Sequence, residues 1–303
     1  MIDSDFPTVY IPVKGGLGNQ MFFYAFGLYL KNKGVNSLLV WHEYIFTKQH
    51  NGVEFFEAFA IQLDTQTNKL ISFFVGINNS NLPFLFKRIL GRIFRFKYTL
   101  VSKYQQSSPY SFDDVFSSIN GRDIYMDGFW QNHLYLNSIR ADILKTYQFK
   151  LPENFLENSF FQKIRSCNSV SIHIRRGDYL DAEFSELNVI NSINYYLRAI
   201  EFVKKNCLDP IFFIFTDDMI WAKKEFSSID VIFIEGRDNH PAHLDLFLMT
   251  QCKHNIIANS TFSWWGAWLN ENPSKIVVTP NMWTKKVPST LLCPPEWVYL
   301  EVL

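Results

Sequence analysis

The chain has 303 residues, enough for two domains with ordinary cores. Lys plus Arg and Asp plus Glu balance at 29 each, which excludes the basic footprint of a nucleic-acid binder and makes any charge logic local. Aromatic residues reach 17%, a sign of large cores.

The N-terminus, "MIDSDFPTVYIPV", carries acidic residues where a signal peptide carries basic ones. No apolar run reaches the ~18 residues that span a bilayer. Thr8 to Val13 reads as a strand, "KGGLG" as a turn, Asn19 to Lys33 as an apolar helix ended near Gly34, and Ser37 to Trp41 as a second strand. This is a β-α-β opening. Residues 76–112 read as an insertion, with "GINNSNLP", a basic-aromatic segment and the polar "KYQQSSPYS". Within it, Leu82 to Leu100 has an amphipathic helical pattern. Leu82, Leu85, Phe86, Ile89, Leu90, Ile93 and Phe96 share one face; Lys87, Arg88, Arg92 and Arg95 share the other. Two readings stand: peripheral contact with an anionic inner leaflet, or a surface helix of the N-terminal core. Asp123 to Gly128 reads as a strand, and His133 to Tyr147 as helical. The "FKLPEN" stretch interrupts two helical patterns and sets the expected domains at 1–152 and 153–303.

The second half alternates regularly. Strands are expected at Val170–Ile174, Ile211–Thr216, Val231–Glu235, Asn255–Ala258 and Ile276–Thr279. Helices are expected at Ile193–Asn206, Met219–Phe226, Pro241–Gln251 and Thr261–Asn270. Such alternation is the mark of a parallel α/β sheet, whose ligands bind outside the carboxyl ends of the strands. "HIRRGDY", "TDD", "EGRDNH" and "NSTFSWW" each follow a strand, so four polar loops converge on one crevice.

Arg175 and Arg176 offer guanidinium forks matched to phosphate oxygens; the competing role is a surface ion pair with Asp178 or Asp181. His173 alternates with Ile172 and Ile174 and so faces the other way, as a structural or a nucleotide-contacting histidine. Asp217 and Asp218 suit helix capping or bonds to a ribose or guanine, one aspartate for each. Ser260 and Thr261 open a helix whose N–H groups form an anion site; Trp264, Trp265 and Trp268 behind them read as packing. Gly16 and Gly18 let the backbone approach a ligand, with Asn19 and Gln20 as polar heads. A dinucleotide loop is disfavoured because Met21 replaces its third glycine, although Glu43 lies near the expected acidic position. No metal site is expected. His240 and His243, with Asp245 and His254, lack a third ligand at suitable spacing, and Cys167, Cys207, Cys252 and Cys293 form no CxxC pair. The cysteines read as reduced thiols of a cytoplasmic protein. Ser/His/Asp hydrolysis lacks a GxSxG elbow.

Together "GGLGNQMF" (Gly15–Phe22), "HIRRGDY" (His173–Tyr179), "FTDD" (Phe215–Asp218) and "CKHNIIANSTFSWWGAWLN" (Cys252–Asn270) resemble the bacterial α-1,2-fucosyltransferases of glycosyltransferase family 11. The resemblance is dense from Ser171 to Asn270 and sparse from Glu43 to Arg122. It implies a GT-B-like α/β fold of two Rossmann-like domains, with the nucleotide-sugar site in the C-terminal one and the acceptor in the N-terminal one. It implies inverting, metal-independent transfer of L-fucose from GDP-β-L-fucose to a galactose-terminated acceptor, forming an α-1,2 linkage in surface glycan such as O-antigen. GDP-fucose is then a substrate and no cofactor is needed. The resemblance puts Arg176 on the β-phosphate, with Arg175, Ser260, Thr261, Gly16 and Gly18 in the donor site. It puts His173 and Asp218 on the guanosine and Asn19 opposite the donor sugar. Asp178 is either general base or orienter of the arginines, and Glu183 is a second base candidate. Alternatives are a fucosyltransferase of different linkage, a protein O-fucosyltransferase relative, or a non-catalytic glycan-binding protein.

Overall fold

The computed structural model describes residues 8–41, 52–61, 89, 97–100, 124–190, 192–235 and 241–302. The chain divides into two compact units, Met1–Gln148 and Phe149–Leu303. Most of the insertion and of the amphipathic segment lies outside the described residues, as do Glu43 and His240. The expected helix does not run to Leu100, because Lys97–Leu100 form a strand. Tyr and Thr there favour the extended chain, and a parallel neighbour is available for its hydrogen bonds.

The first unit holds a parallel sheet of Val9–Pro12 (β1), Ser37–Val40 (β2), Lys97–Leu100 (β3) and Ile124–Asp127 (β4), in the order β2-β1-β4-β3. Helix α1, Leu17–Asn32, joins β1 to β2 and is buried on most of its circumference. Such a helix needs cover on more than one side. Phe55–Ala58 (α2), His133–Ser138 (α3) and Arg140–Thr146 (α4) supply it. Phe26 stacks on Trp130 with centroids 4.0 Å apart. The Tyr147 hydroxyl donates to the Met21 carbonyl at 2.6 Å.

One side chain ties the turn before α1 to α2. Gln20 is 0% exposed. Its Nε2 donates to the carbonyls of Gly15 and Gly52 at 3.0 Å each, and its Oε1 accepts from the Phe55 N–H at 3.0 Å. Gly15 sits at φ 80°, and a Cβ there would stand 2.5 Å from Asn19 Nδ2, so the turn requires glycine.

The second unit is a six-stranded, wholly parallel sheet in the order β12-β9-β8-β5-β6-β7. Its strands are Asn168–Ile174 (β5), Pro210–Thr216 (β6), Val231–Phe233 (β7), His254–Ile256 (β8), Val277–Pro280 (β9) and Val298–Leu300 (β12). Met282–Thr284 (β10) and Val287–Pro288 (β11) form a separate hairpin. Helices are Ser159–Ser166 (α5), Asn194–Asn206 (α6), Met219–Glu225 (α7), Ala242–Gln251 (α8) and Thr261–Leu269 (α9). Period-two alternation divides the core in two. Val170, Ile172, Ile174, Phe212 and Ile214 pack with α6 and α7 on one face. Phe213 and Phe215 pack with α5 and α8 on the other. Trp264, Trp265 and Trp268 of α9 are buried core residues.

Each expected strand and helix of this half is present within a few residues. β12 and the hairpin are added; their two- and three-residue strands are too short to show periodicity. The chain starts in mid-sheet at β5, builds outward through β6 and β7, then returns to build β8, β9 and β12 on the other side. The reversal lies between β5 and β8, the topological switch point where such sheets bind ligands. All four cysteines are free thiols, and burial pushes Cys293 up to about 12. Among the described residues no helix is long and apolar enough to cross a membrane.

Gln20→Leu keeps the volume but strands two carbonyls and one N–H. Urea unfolding is expected to show a loss of about 2–3 kcal/mol; a loss under about 0.5 kcal/mol would show that the clamp contributes nothing.

Candidate functional site

Three polar segments follow the carboxyl ends of neighbouring strands: Arg175–Tyr179 after β5, Asp217 and Asp218 after β6, and Asn259–Thr261 after β8. The two arginines are used differently. Arg175 is engaged at both ends, with Nη2 2.8 Å from Asp178 Oδ1 and Nη1 3.0 Å from Asp217 Oδ2. Burial alone would lower its pKa; Asp217 and then Asp178 outweigh it and hold the guanidinium above its ordinary value. Arg176 is engaged on one edge only. Its Nε lies 3.2 Å from Asp218 Oδ2, and its guanidinium carbon lies 4.2 Å from the Trp221 ring centroid. Its Nη1 and Nη2 have no partner among the described residues, although the side chain is only 15% exposed. The expected ion pair with Asp178 is made by Arg175; Arg176 pairs with Asp218 through Nε and leaves its terminal nitrogens open.

Asp217 joins the two. Its Oδ1 accepts the backbone N–H of Arg176 at 2.9 Å while Oδ2 pairs with Arg175. A Cβ on Gly177 would stand 3.0 Å from Asp217 Oδ2, so the two loops approach closely at this glycine. Asp218 both caps and pairs: Oδ1 accepts from the Trp221 N–H at 3.0 Å, and Oδ2 faces Arg176. By residue type each aspartate has one expected task; in the fold Asp218 performs two and Asp217 serves the arginines.

Across the switch point, the Tyr179 hydroxyl donates to the Asn259 carbonyl at 3.1 Å. Burial pushes its phenol above the usual range, so it remains a donor at all working pH. Asn259 Nδ2 donates to the carbonyls of Leu187 and Trp283 at 2.8 and 2.9 Å, fixing the turn. Ser260 is the N-cap of α9 but makes no capping bond with its own side chain. Thr261 begins that helix. His173, buried at the end of β5, lies 5.6 Å from the Phe262 ring between centroids. The structure thus gathers His173, Arg175, Arg176, Asp178, Asp218, Ser260 and Thr261 at one sheet edge. Glu183 is exposed on a short 3-10 helix, Ala182–Phe184. In "EGRDNH", Gly236 to His240 lie outside the described residues.

The first unit holds Gly16, Gly18 and Asn19. Gly16 is the N-cap of α1, Gly18 is buried in its first turn, and Asn19 Oδ1 accepts from Gln131 Nε2 at 2.9 Å. Gln20 is not a ligand-facing head, since all its bonds go to backbone. Glu54 Oε2 accepts the Leu17 N–H at 3.2 Å. Of the candidate metal-ligating histidines, the two described ones, His243 and His254, have other tasks. His243 Nε2 lies 3.0 Å from the Lys150 carbonyl. His254 Nδ1 accepts from the Ile276 N–H at 2.9 Å, and its pKa is lowered by burial and then by Lys253. Among the described residues no cluster of three His, Cys, Asp or Glu is arranged to hold a metal ion.

A doubly wound sheet with polar loops at its switch point defines a class, the open α/β proteins that bind ligands at the carboxyl ends of their strands. The sequence profile of glycosyl transferase family 11 matches residues 8–301, so the chain belongs to that family. It is 33% identical to an alpha-1,2-colitosyltransferase of Escherichia coli over 95% of this chain and 97% of that one. It is 30% identical to the O-antigen biosynthesis glycosyltransferase WbnK of Escherichia coli, over 96% of this chain and all of that one. Its fold is similar to the crystal structure of NodZ alpha-1,6-fucosyltransferase soaked with GDP-fucose. The TM-score is 0.54 at 14% identity, covering 86% of this chain and 91% of that one. The fold class is α/β of the GT-B-like kind.

The reading of the sequence missed Trp221, Asn259 and the bridging part of Asp217. Only the third position of α7 in "DDMIW" hinted at Trp221, one turn beyond an N-cap.

A double-mutant cycle tests the local pairing. Arg175 and Asp217, both about one-third exposed or less, are expected to couple by about 0.5–1.5 kcal/mol in urea unfolding. The exposed pair Lys223–Glu235, at 2.9 Å, is expected to couple by less than about 0.5 kcal/mol. Equal couplings would refute the distinction.

Proposed function

We propose that this family 11 glycosyltransferase moves L-fucose from GDP-β-L-fucose to a galactoside hydroxyl with inversion, forming an α-1,2 linkage in surface glycan. The observation that carries the proposal is the open fork of Arg176. A diphosphate leaving group gains negative charge as the glycosidic bond breaks, and a fixed guanidinium stabilises it without reorganising. In this mechanism Arg176 takes the β-phosphate, and the first turn of α9, with Ser260 and Thr261, adds N–H and hydroxyl donors. Arg175 and Asp178 brace the loop, with Asp178 Oδ1 2.8 Å from Arg175 Nη2. His173 and Asp218 lie toward the guanosine, and Asn19, with Gly16 and Gly18, serves the sugar. The acceptor hydroxyl attacks the anomeric carbon opposite the phosphate, its proton passing to Asp178, to Glu183 or to water, and the departing electron pair goes to GDP.

No metal is needed on this reading, because guanidinium and helix N-terminus supply the positive charge. The two Escherichia coli relatives support the linkage and the O-antigen setting by their names, and on this reading the reaction is cytoplasmic. The colitosyltransferase relative also favours a second donor, a colitosyl nucleotide, which the same assay compares.

The assay offers fucosyl and colitosyl donors with lactose, type 1 and type 2 chains and galactose, with and without EDTA. Expected are GDP release that EDTA does not stop and an α-1,2 product by NMR. Arg176→Ala is expected to lower turnover at least about 100-fold with an unchanged melting profile. Galactoside binding without GDP release would identify a glycan-binding module instead. Rescue of EDTA-treated protein by Mg²⁺ or Mn²⁺ would overturn the metal-free mechanism.

A further inference from the structure

We propose that Trp221 is a positioning residue that sets the plane of the Arg176 guanidinium, so that Nη1 and Nη2 form a fork for a nucleoside diphosphate. The inference rests on the donor reading above and adds a residue to it. A phosphate fork works only when both terminal nitrogens point the same way. Two hydrogen bonds hold Arg176, from its backbone N–H to Asp217 and from Nε to Asp218 Oδ2. A single bond at Nε fixes a point and leaves the plane free to turn about it. The Trp221 ring, 4.2 Å from the guanidinium carbon, removes that freedom.

The stack is itself held in register by one carboxylate. Asp218 Oδ1 accepts the backbone N–H of Trp221 while Oδ2 takes Nε of Arg176. Indole and guanidinium are thus tied to the two oxygens of the same group. A lysine at position 176 would keep the charge but have no plane to stack and no fork to present. Trp221 also packs against the α6–α7 side of the core, so its positioning role must be separated from packing.

The sequence provides a reporter for this. Of the eight tryptophans, all but Trp221 are buried; Trp221 alone is half-buried. Its neighbour Ile220 is 87% exposed and serves as a control position. The experiment titrates GDP into the full chain and into Trp221→Phe, Trp221→Leu and Ile220→Ser, by calorimetry and tryptophan emission, with melting curves and kcat for each. Phe keeps an aromatic face; Leu keeps apolar volume alone. Trp221→Leu is expected to weaken GDP about tenfold and lower kcat. Trp221→Phe is expected to stay within about threefold, both variants melting alike. GDP is expected to change the emission of the wild type and of Ile220→Ser, and not of Trp221→Phe. Wild-type affinity and kcat in Trp221→Leu would overturn the inference and leave the donor reading intact. Equal losses in Phe and Leu that follow their melting curves would overturn it too, leaving a packing role. A wild-type chain that binds no GDP would overturn the donor reading and this inference with it.

Discussion

Two adjacent guanidiniums repel each other, and the loop after β5 takes its shape because carboxylates separate them. Asp217 is the separating group. It bonds the backbone of one arginine and the side chain of the other. Asp178 takes the second end of Arg175 and Asp218 the inner edge of Arg176. Three carboxylates therefore hold two cations, and their pairing is unequal. Arg175 is neutralised on both sides; Arg176 is neutralised on one and left open on the other. A surface of two free arginines would bind any anion loosely. This arrangement spends one arginine on rigidity so that the other meets a ligand in a fixed orientation.

The topology makes that knot possible. β5 is the first strand of its sheet and lies beside both β6 and β8. Its loop is therefore flanked by the β6 loop, which supplies the aspartates, and by the β8 loop, which supplies the Asn259 turn. Tyr179 reaches from the first to the third. No other strand in this sheet could offer its loop two neighbours of this kind at a switch point. Position 177 is tightly placed in this network: a Cβ there would stand 3.0 Å from Asp217 Oδ2, so the carboxylate that serves both arginines would have to give by a few tenths of an ångström.

Much of this was legible in the sequence, and the limits have physical causes. The strands of the second unit were visible because apolar alternation and length marked them. Where a run is as short as Val298–Leu300, neighbours rather than local pattern decide. The site's position followed from strand ends, and its polar residues from their types. What could not be read was the division of labour between like residues. Arg175 and Arg176 are identical in type and adjacent in chain, and only the partners brought by β6 distinguish them. Asp217 and Asp218 pose the same problem, since capping leaves one carboxylate oxygen free for a second task. Gln20 looked like a ligand head because an amide is polar. Its full burial, set by helix α1 against α2, turns it into a clamp. The strand at Lys97–Leu100 was hidden inside a longer amphipathic pattern, where four residues of either structure read alike.

The two units also show why only one of their two small-residue turns suits an anion. Both turns lead from a strand into a helix, and both present N–H groups at a positive helix end. Before α1 that end is already served: Glu54 sends a carboxylate from the neighbouring segment onto the Leu17 N–H. Gln20 holds Glu54 there by bonding Gly52 before it and Phe55 after it. A phosphate at this turn would have to displace a fixed negative charge, and Met21, fully buried behind it, leaves no close helix–strand approach of the dinucleotide kind. Before α9 the N-cap Ser260 makes no side-chain cap, and the loop of the neighbouring strand β5 carries Arg176. Of the two turns, the serine turn is thus the one electrostatically suited to an anion.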